Sequence, residues 1–183
     1  MKRAFDIFFA MALALPAAFL AFACWLAIRA DSPGGGIFRQ VRVGQEGKAF
    51  VCYKLRTMYI ETKDAPSHET PKSAVTRVGS FLRRYKLDEL PQIWNVLSGE
   101  MSFVGPRPCL PSQTELIEAR RALGVLSLRP GITGIAQVKG IDMSNPDRLA
   151  REDARYLTDN GVARDFSLMA ATLFGSGRGD RTS

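Results

Sequence analysis

The stretch AFDIFFAMALALPAAFLAFACWLAI, residues 4–28, decides what kind of protein this is. It is long enough to cross a bilayer, which takes roughly 20 apolar residues. A signal peptide is one reading, with Lys2 and Arg3 as a basic n-region and Ala21-Phe22-Ala23 resembling a cleavage site. Against it, the apolar run continues through Trp25 to Ile28, and Asp6 interrupts its beginning. Lipoprotein processing at Cys24 is also disfavoured, because Ala21 stands where a leucine-like residue belongs. A straight single crossing meets a different conflict. Cationic flanks prefer the cytoplasm, and Lys2 and Arg3 precede the run while Arg29, Arg39, Arg42 and Lys48 follow it. Pro16 removes a backbone hydrogen bond near the middle, and is expected to bend or break the helix. A helix broken there can enter the bilayer and return to the same face. Lys2, Arg3, Asp6, Pro16 and Arg29 are then membrane-interface residues, with Asp6 near the headgroups, where charge is tolerated.

Working outward, 183 residues hold one ordinary domain. The expected division is a re-entrant membrane helix over 1–30, a polar basic body over 31–175, and a disordered tail over 176–183. The body reads as helix-rich α+β. Turn-forming residues at 31–36 lead into alternating apolar and polar residues over 37–58, with Gly44 and Gly47 between two β-like runs, the pattern of a small hairpin. Helical spacing follows at 76–85, with Val78, Phe81 and Leu82 on one side. A second helix is expected over 88–97, with Asp88 as its N-cap and Pro91 in its first turn. Further helices fit 112–123, 147–158 and 165–174. The last could lay an apolar face on the bilayer or pack into a core.

A net charge of +7 and a pI near 9.7 call for an anionic partner, and nucleic acid, anionic lipid and phosphate-bearing substrates all have the right sign. The basic residues are interleaved with Gly, Pro and acids, and no nucleic-acid-binding motif is present, so no nucleic acid is expected. Cys24, Cys52 and Cys109 are odd in number and form no C-x-x-C pair, which indicates neither a disulfide frame nor a zinc site. His68, the single histidine, falls in a polar stretch that reads as a surface loop.

The adjacent acids Asp88 and Glu89 are the sharpest chemical feature. An aspartate at a helix start often serves only as a cap. Here Arg83 and Arg84 precede the pair by about a turn, and Arg107 stands between Pro106 and Pro108. Carboxylates beside fixed guanidinium groups and helix-terminal N–H groups make an environment suited to phosphoryl groups. A hard cation such as Mg²⁺, bound through one carboxylate and substrate phosphates, completes the charge balance.

The order of blocks is also recognisable. It begins with Lys2-Arg3-x-x-Asp6 and the proline-containing membrane helix, then Phe38-Arg39-Gln40-x-Arg42-x-Gly44 and Tyr53-Lys54-Leu55-Arg56-Thr57-Met58. It continues with Leu87-Asp88-Glu89-Leu90-Pro91-Gln92, Asn95-Val96-Leu97 and Met101-Ser102-Phe103-Val104-Gly105-Pro106-Arg107-Pro108. The last is Arg129-Pro130-Gly131-Ile132-Thr133-Gly134-x-Ala136-Gln137-Val138. Along nearly its whole length the chain resembles the bacterial sugar transferases that start glycan assembly, the small monotopic phosphoglycosyl transferases.

The resemblance implies a Mg²⁺-dependent enzyme that moves a phosphosugar from a UDP-sugar to undecaprenyl phosphate and releases UMP. Asp88 would be the nucleophile and metal ligand, with Glu89 assisting. Lys54, Arg56, Arg83, Arg107 and Gln137 are candidate substrate contacts. The expected setting is the cytosolic face of the bacterial inner membrane, in contact with phospholipid and compatible with a homodimer. The family often has an arginine after the Gln-Val-x-Gly run, where this chain has Ile141; Lys139 and Arg148 are the candidate replacements. Many relatives also have a small polar residue before the proline, where this chain has Leu15.

Overall fold

A computed structural model describes residues 2–62 and 72–175 of the chain. His68 and the tail 176–183 lie outside the described residues, so the expectations placed on them do not enter the fold. The apolar stretch forms one helix, α1 (Lys2–Asp31). An antiparallel hairpin follows, made of β1 (Ile37–Val43) and β2 (Ala49–Leu55) around a 3-10 turn at Gln45–Gly47. Its register sets Gln40 opposite Cys52 and Val41 opposite Val51. Alternation therefore gives two faces: Gln40, Phe50 and Cys52 are buried, and Val41 and Val51 are exposed.

The remaining helices are α2 (Arg77–Arg84), α3 (Gln92–Ser98), α4 (Thr114–Ala122), the single-turn α5 (Ile135–Val138), α6 (Pro146–Thr158) and α7 (Val162–Leu173). The fold is helix-rich α+β, in agreement with the reading of the sequence. Their ends follow local chemistry. Thr76 Oγ1 accepts from Gly79 N at 2.9 Å to cap α2, and Asn145 Oδ1 accepts from Arg148 N at 3.0 Å to cap α6. One pairing is absent from the sequence reading: β3 (Ser102–Val104) lies parallel to β4 (Gly131–Thr133). Two glycines permit it, since a Cβ on Gly131 would meet Gly105 N at 2.1 Å and one on Gly105 would meet Arg129 O at 2.2 Å.

Three buried clusters hold these elements together. The largest joins Ala10 of α1 to Phe50 and Cys52 of the hairpin, Val96 of α3, Phe103 and Val104 of β3, and Leu168 of α7. A second packs Leu116 of α4 and Leu149 and Ala150 of α6 around Val43, Cys109 and Ala136. The third sets Cys24 and Ile28 of α1 against Leu55 and Leu82.

Both ends of α1 are thus docked on the body, while Met11, Leu15, Phe19 and Phe22 between them are exposed. The helix is long and apolar enough to cross a membrane, and only 11% of its most apolar window is buried. That pattern suits a helix surrounded by lipid better than a core helix. Of the expected bend or break at Pro16, the break is absent: helical structure runs through the proline. A proline removes one hydrogen bond, and the Ala- and Leu-rich turns on either side let the ladder resume.

The N-terminal anchor differs from the sequence reading. Asp6, expected at the headgroup level, is 1% exposed; its Oδ1 accepts from Ser102 Oγ at 3.0 Å and from Phe103 N at 3.2 Å. Arg3 donates to the carbonyls of Val96 and Leu97 at the end of α3, at 2.6 and 3.1 Å. Lys2 Nζ lies 2.6 Å from Asp165 Oδ2, and Asp165 also accepts from the Tyr156 hydroxyl. Burial, and then the Asp165 carboxylate, push the Tyr156 phenol far above its ordinary range, so it remains a donor. These three residues pin the helix start to the body. Asp6→Ala should lower stability by about 2–4 kcal/mol, because it strands two buried donors, and Asp6→Asn should cost less because the Oδ1 acceptor survives. Thermal unfolding in detergent or nanodiscs checks this; an unchanged melting temperature in Asp6→Ala would remove Asp6 from the anchor.

Candidate active site

Asp88 and Glu89 do not open an α-helix. They sit in a separate 3-10 turn, Leu87–Glu89, and α3 starts at Gln92 with Pro91 as its N-cap. Lys86 adopts a left-handed conformation with φ +56°, reversing the chain between α2 and this turn. The expected cap role of Asp88 is thereby corrected: the turn, not the helix start, presents the acid pair. Asp88 is 7% exposed.

The hairpin and the Pro106–Pro108 loop bring cations to these acids. Lys54 of β2 places Nζ 3.2 Å from Glu89 Oε1, and Arg107 places Nη1 3.4 Å from the same oxygen. All three side chains are less than a quarter exposed, so their charges act in a partly desolvated setting. Arg83 lies half-buried in the last turn of α2, three residues before the left-handed Lys86.

Two other candidate contacts are turned toward the protein itself. Arg56 is 7% exposed and donates to the Ser32 carbonyl and hydroxyl, both at 2.8 Å, and to the Pro33 carbonyl. It fastens the segment after α1 to the end of β2. Gln137 Nε2 donates to Ile132 O at 3.0 Å, bridging α5 and β4. At the C-terminal end of α1, Arg29 is exposed, donates to Gly34 O at 3.2 Å and lies 5.6 Å from the Trp25 ring centre. Ile141 packs at the edge of the second core cluster, and Lys139 pairs with Glu152 at 2.5 Å.

Supporting residues not singled out from sequence complete the site. Asn95 is fully buried; its Oδ1 accepts from Tyr53 N at 3.1 Å and its Nδ2 donates to Val51 O at 2.7 Å. It bonds the edge of β2 beside Lys54 as a neighbouring strand would. Arg42 donates to Pro108 O at 3.1 Å and to the Gln40 side chain. The only sequence signal for either was membership in a recognised block.

The chemistry open to this arrangement is narrow. Burial pushes the Cys52 and Cys109 thiols upward, so neither offers a thiolate. Glu89 lies against both cations, and Asp88 precedes it in the same turn. Among the described residues no three His, Cys, Asp or Glu side chains gather as a metal cage. A hard divalent ion would have to use one carboxylate and oxygens from a phosphate-bearing substrate, a donor set that suits Mg²⁺.

A family model described as bacterial sugar transferase matches residues 1–178. An exopolysaccharide production protein, PSS, of Rhizobium leguminosarum is 40% identical, over 92% of this chain and 88% of its own length. A UDP-glucose:undecaprenyl-phosphate glucose-1-phosphate transferase of Caulobacter vibrioides is 42% identical, over 94% of this chain and 68% of its own length. The Escherichia coli protein of the same name is 36% identical over 95% of this chain, which corresponds to 39% of its length.

Proposed function

Because the chain belongs to the bacterial sugar transferase family, we propose that it transfers a phosphosugar from a UDP-sugar to undecaprenyl phosphate through Asp88. The observation that carries this reading is the acid pair in its own turn, with Lys54 and Arg107 converging on Glu89 Oε1.

In the first step a carboxylate oxygen of Asp88 attacks the sugar-bearing phosphorus of the UDP-sugar. A new P–O bond forms, the phosphoanhydride bond breaks, and UMP departs with the electron pair. In the second step an oxygen of undecaprenyl phosphate attacks the same phosphorus. The bond to Asp88 breaks, its carboxylate is restored, and the product is an undecaprenyl diphosphosugar. Two displacements on one carboxylate let a water-soluble donor and a lipid acceptor react in turn. Lys54 and Arg107 stabilise charge on the phosphoryl oxygens, and Glu89 holds both cations in place. Mg²⁺ held through Asp88 would offset diphosphate charge when bound.

The setting follows from α1. Both of its ends dock on one body, so a passage that dips into the bilayer and returns would leave Asp88 at the membrane surface. The basic flanks support a cytosolic setting for that surface. The exposed residues Val162, Phe166 and Leu173 of α7, and Phe174 just after it, fit contact with the same bilayer.

The test is reconstitution of the protein in nanodiscs with UDP-glucose and undecaprenyl phosphate. UMP and undecaprenyl diphosphoglucose should appear together, stop on chelation and resume with Mg²⁺. Release of UDP with undecaprenyl monophosphoglucose would contradict the reading, since the carboxylate would then not act at phosphorus.

A further inference from the structure

The loop that carries Arg107 is held in an unusual way. Four consecutive carbonyls accept from three separate elements, β4, α4 and β1. Pro106 O accepts from Gly131 N at 2.9 Å, Arg107 O from Arg120 Nη1 at 2.9 Å, Pro108 O from Arg42 Nη1 at 3.1 Å, and Cys109 O from Val43 N at 2.9 Å. Pro106 and Pro108 have no N–H, so the segment has few donors with which to fix itself.

Arg120 stands out among these partners. It projects from the last turn of α4, is 3% exposed, and donates through Nε and Nη2 to Asp153 Oδ2 of α6 at 3.0 and 2.7 Å. Burial pushes the Asp153 carboxyl upward, and the Arg120 guanidinium pulls against it. A buried ion pair between two helices is ordinarily a matter of stability alone. Here the third nitrogen of the same planar group reaches outside the pair to the backbone of Arg107. The fork fixes all three bonds at once, in a geometry a lysine ammonium cannot reproduce.

We propose that Arg120, oriented by Asp153, is a positioning residue that sets the reach of Arg107 toward the acid pair through the Arg107 carbonyl. The inference rests on the reading of Arg107 as a phosphate contact. The pair links the helical layer of α4 and α6 to the site, and its effect on turnover passes through one side chain.

A double-mutant cycle tests this in nanodiscs, with radiolabelled UMP release giving kcat/KM and thermal unfolding giving stability. Arg120→Lys should lower kcat/KM about tenfold or more in the native background, because a displacement of a fraction of an ångström at a charged contact suffices. In the Arg107→Ala background the same change should cost less than about twofold, while the melting temperature falls equally in both. Equal fold-losses in the two backgrounds would overturn the proposal, as would a fall in melting temperature with kcat/KM intact in the native background. No UMP release from the unmutated protein would instead overturn the underlying reading, and the positioning role with it.

Discussion

Asp88→Asn should abolish UMP release, by at least about 10⁴-fold, while leaving the protein folded. The side chain keeps its shape and one acceptor oxygen, and loses the anionic nucleophile. Asp88 lies in a 3-10 turn, and the start of α3 is capped at Pro91 instead. A helix-capping loss is therefore not expected to accompany the chemical one. Rates from radiolabelled UDP-glucose and melting curves on the same preparation separate the two effects. Residual turnover within about tenfold of the native enzyme would rule out nucleophilic catalysis by this carboxylate.

Arg107→Ala should lower kcat/KM by about 10²–10³-fold, the range for removing one preorganised charge-stabilising donor in a partly dry site. Stability should change little. The loop backbone stays clamped through its four carbonyls, and Glu89 keeps Lys54 at 3.2 Å. Arg107→Lys should recover part of the loss, because it restores the charge without the planar fork. A neutral outcome in steady-state kinetics would move the phosphate contact elsewhere, with Lys54 and Arg83 the remaining candidates.

Much of the architecture was legible because its signals are local. The α2 boundaries follow from Thr76 and the apolar spacing of the residues after it, and the hairpin follows from alternation around Gly44 and Gly47. What escaped is long-range. β3 and β4 are three residues each and pair across an intervening helix, so no periodicity announces them; the evidence is the close approach of Gly105 and Gly131. Asp6 in an apolar run reads as an interfacial charge, yet its partners are Ser102 and Phe103, nearly a hundred positions away.

The site divides in the same way. Asp88, Glu89, Lys54 and Arg107 were visible as residues in recognised blocks, and the structure gathers Lys54 and Arg107 on Glu89. The same blocks contain Arg56 and Gln137, whose polar atoms serve Ser32, Pro33 and Ile132. A motif identifies a residue and not the direction of its side chain. Arg120 and Asp153 belong to amphipathic helices rich in charge, where nothing in the pattern separates a buried pair from solvated ones.

The central claim is that Asp88 becomes covalently attached to the phosphosugar. Incubating the protein with UDP-glucose and Mg²⁺ in the absence of undecaprenyl phosphate, then quenching and mapping peptides by mass spectrometry, tests it directly. The account predicts one hexose phosphate on the peptide containing Asp88, stoichiometric UMP, and loss of the adduct when undecaprenyl phosphate is added. UMP release that begins only on addition of undecaprenyl phosphate, with no adduct on any peptide, would contradict it and point to direct transfer.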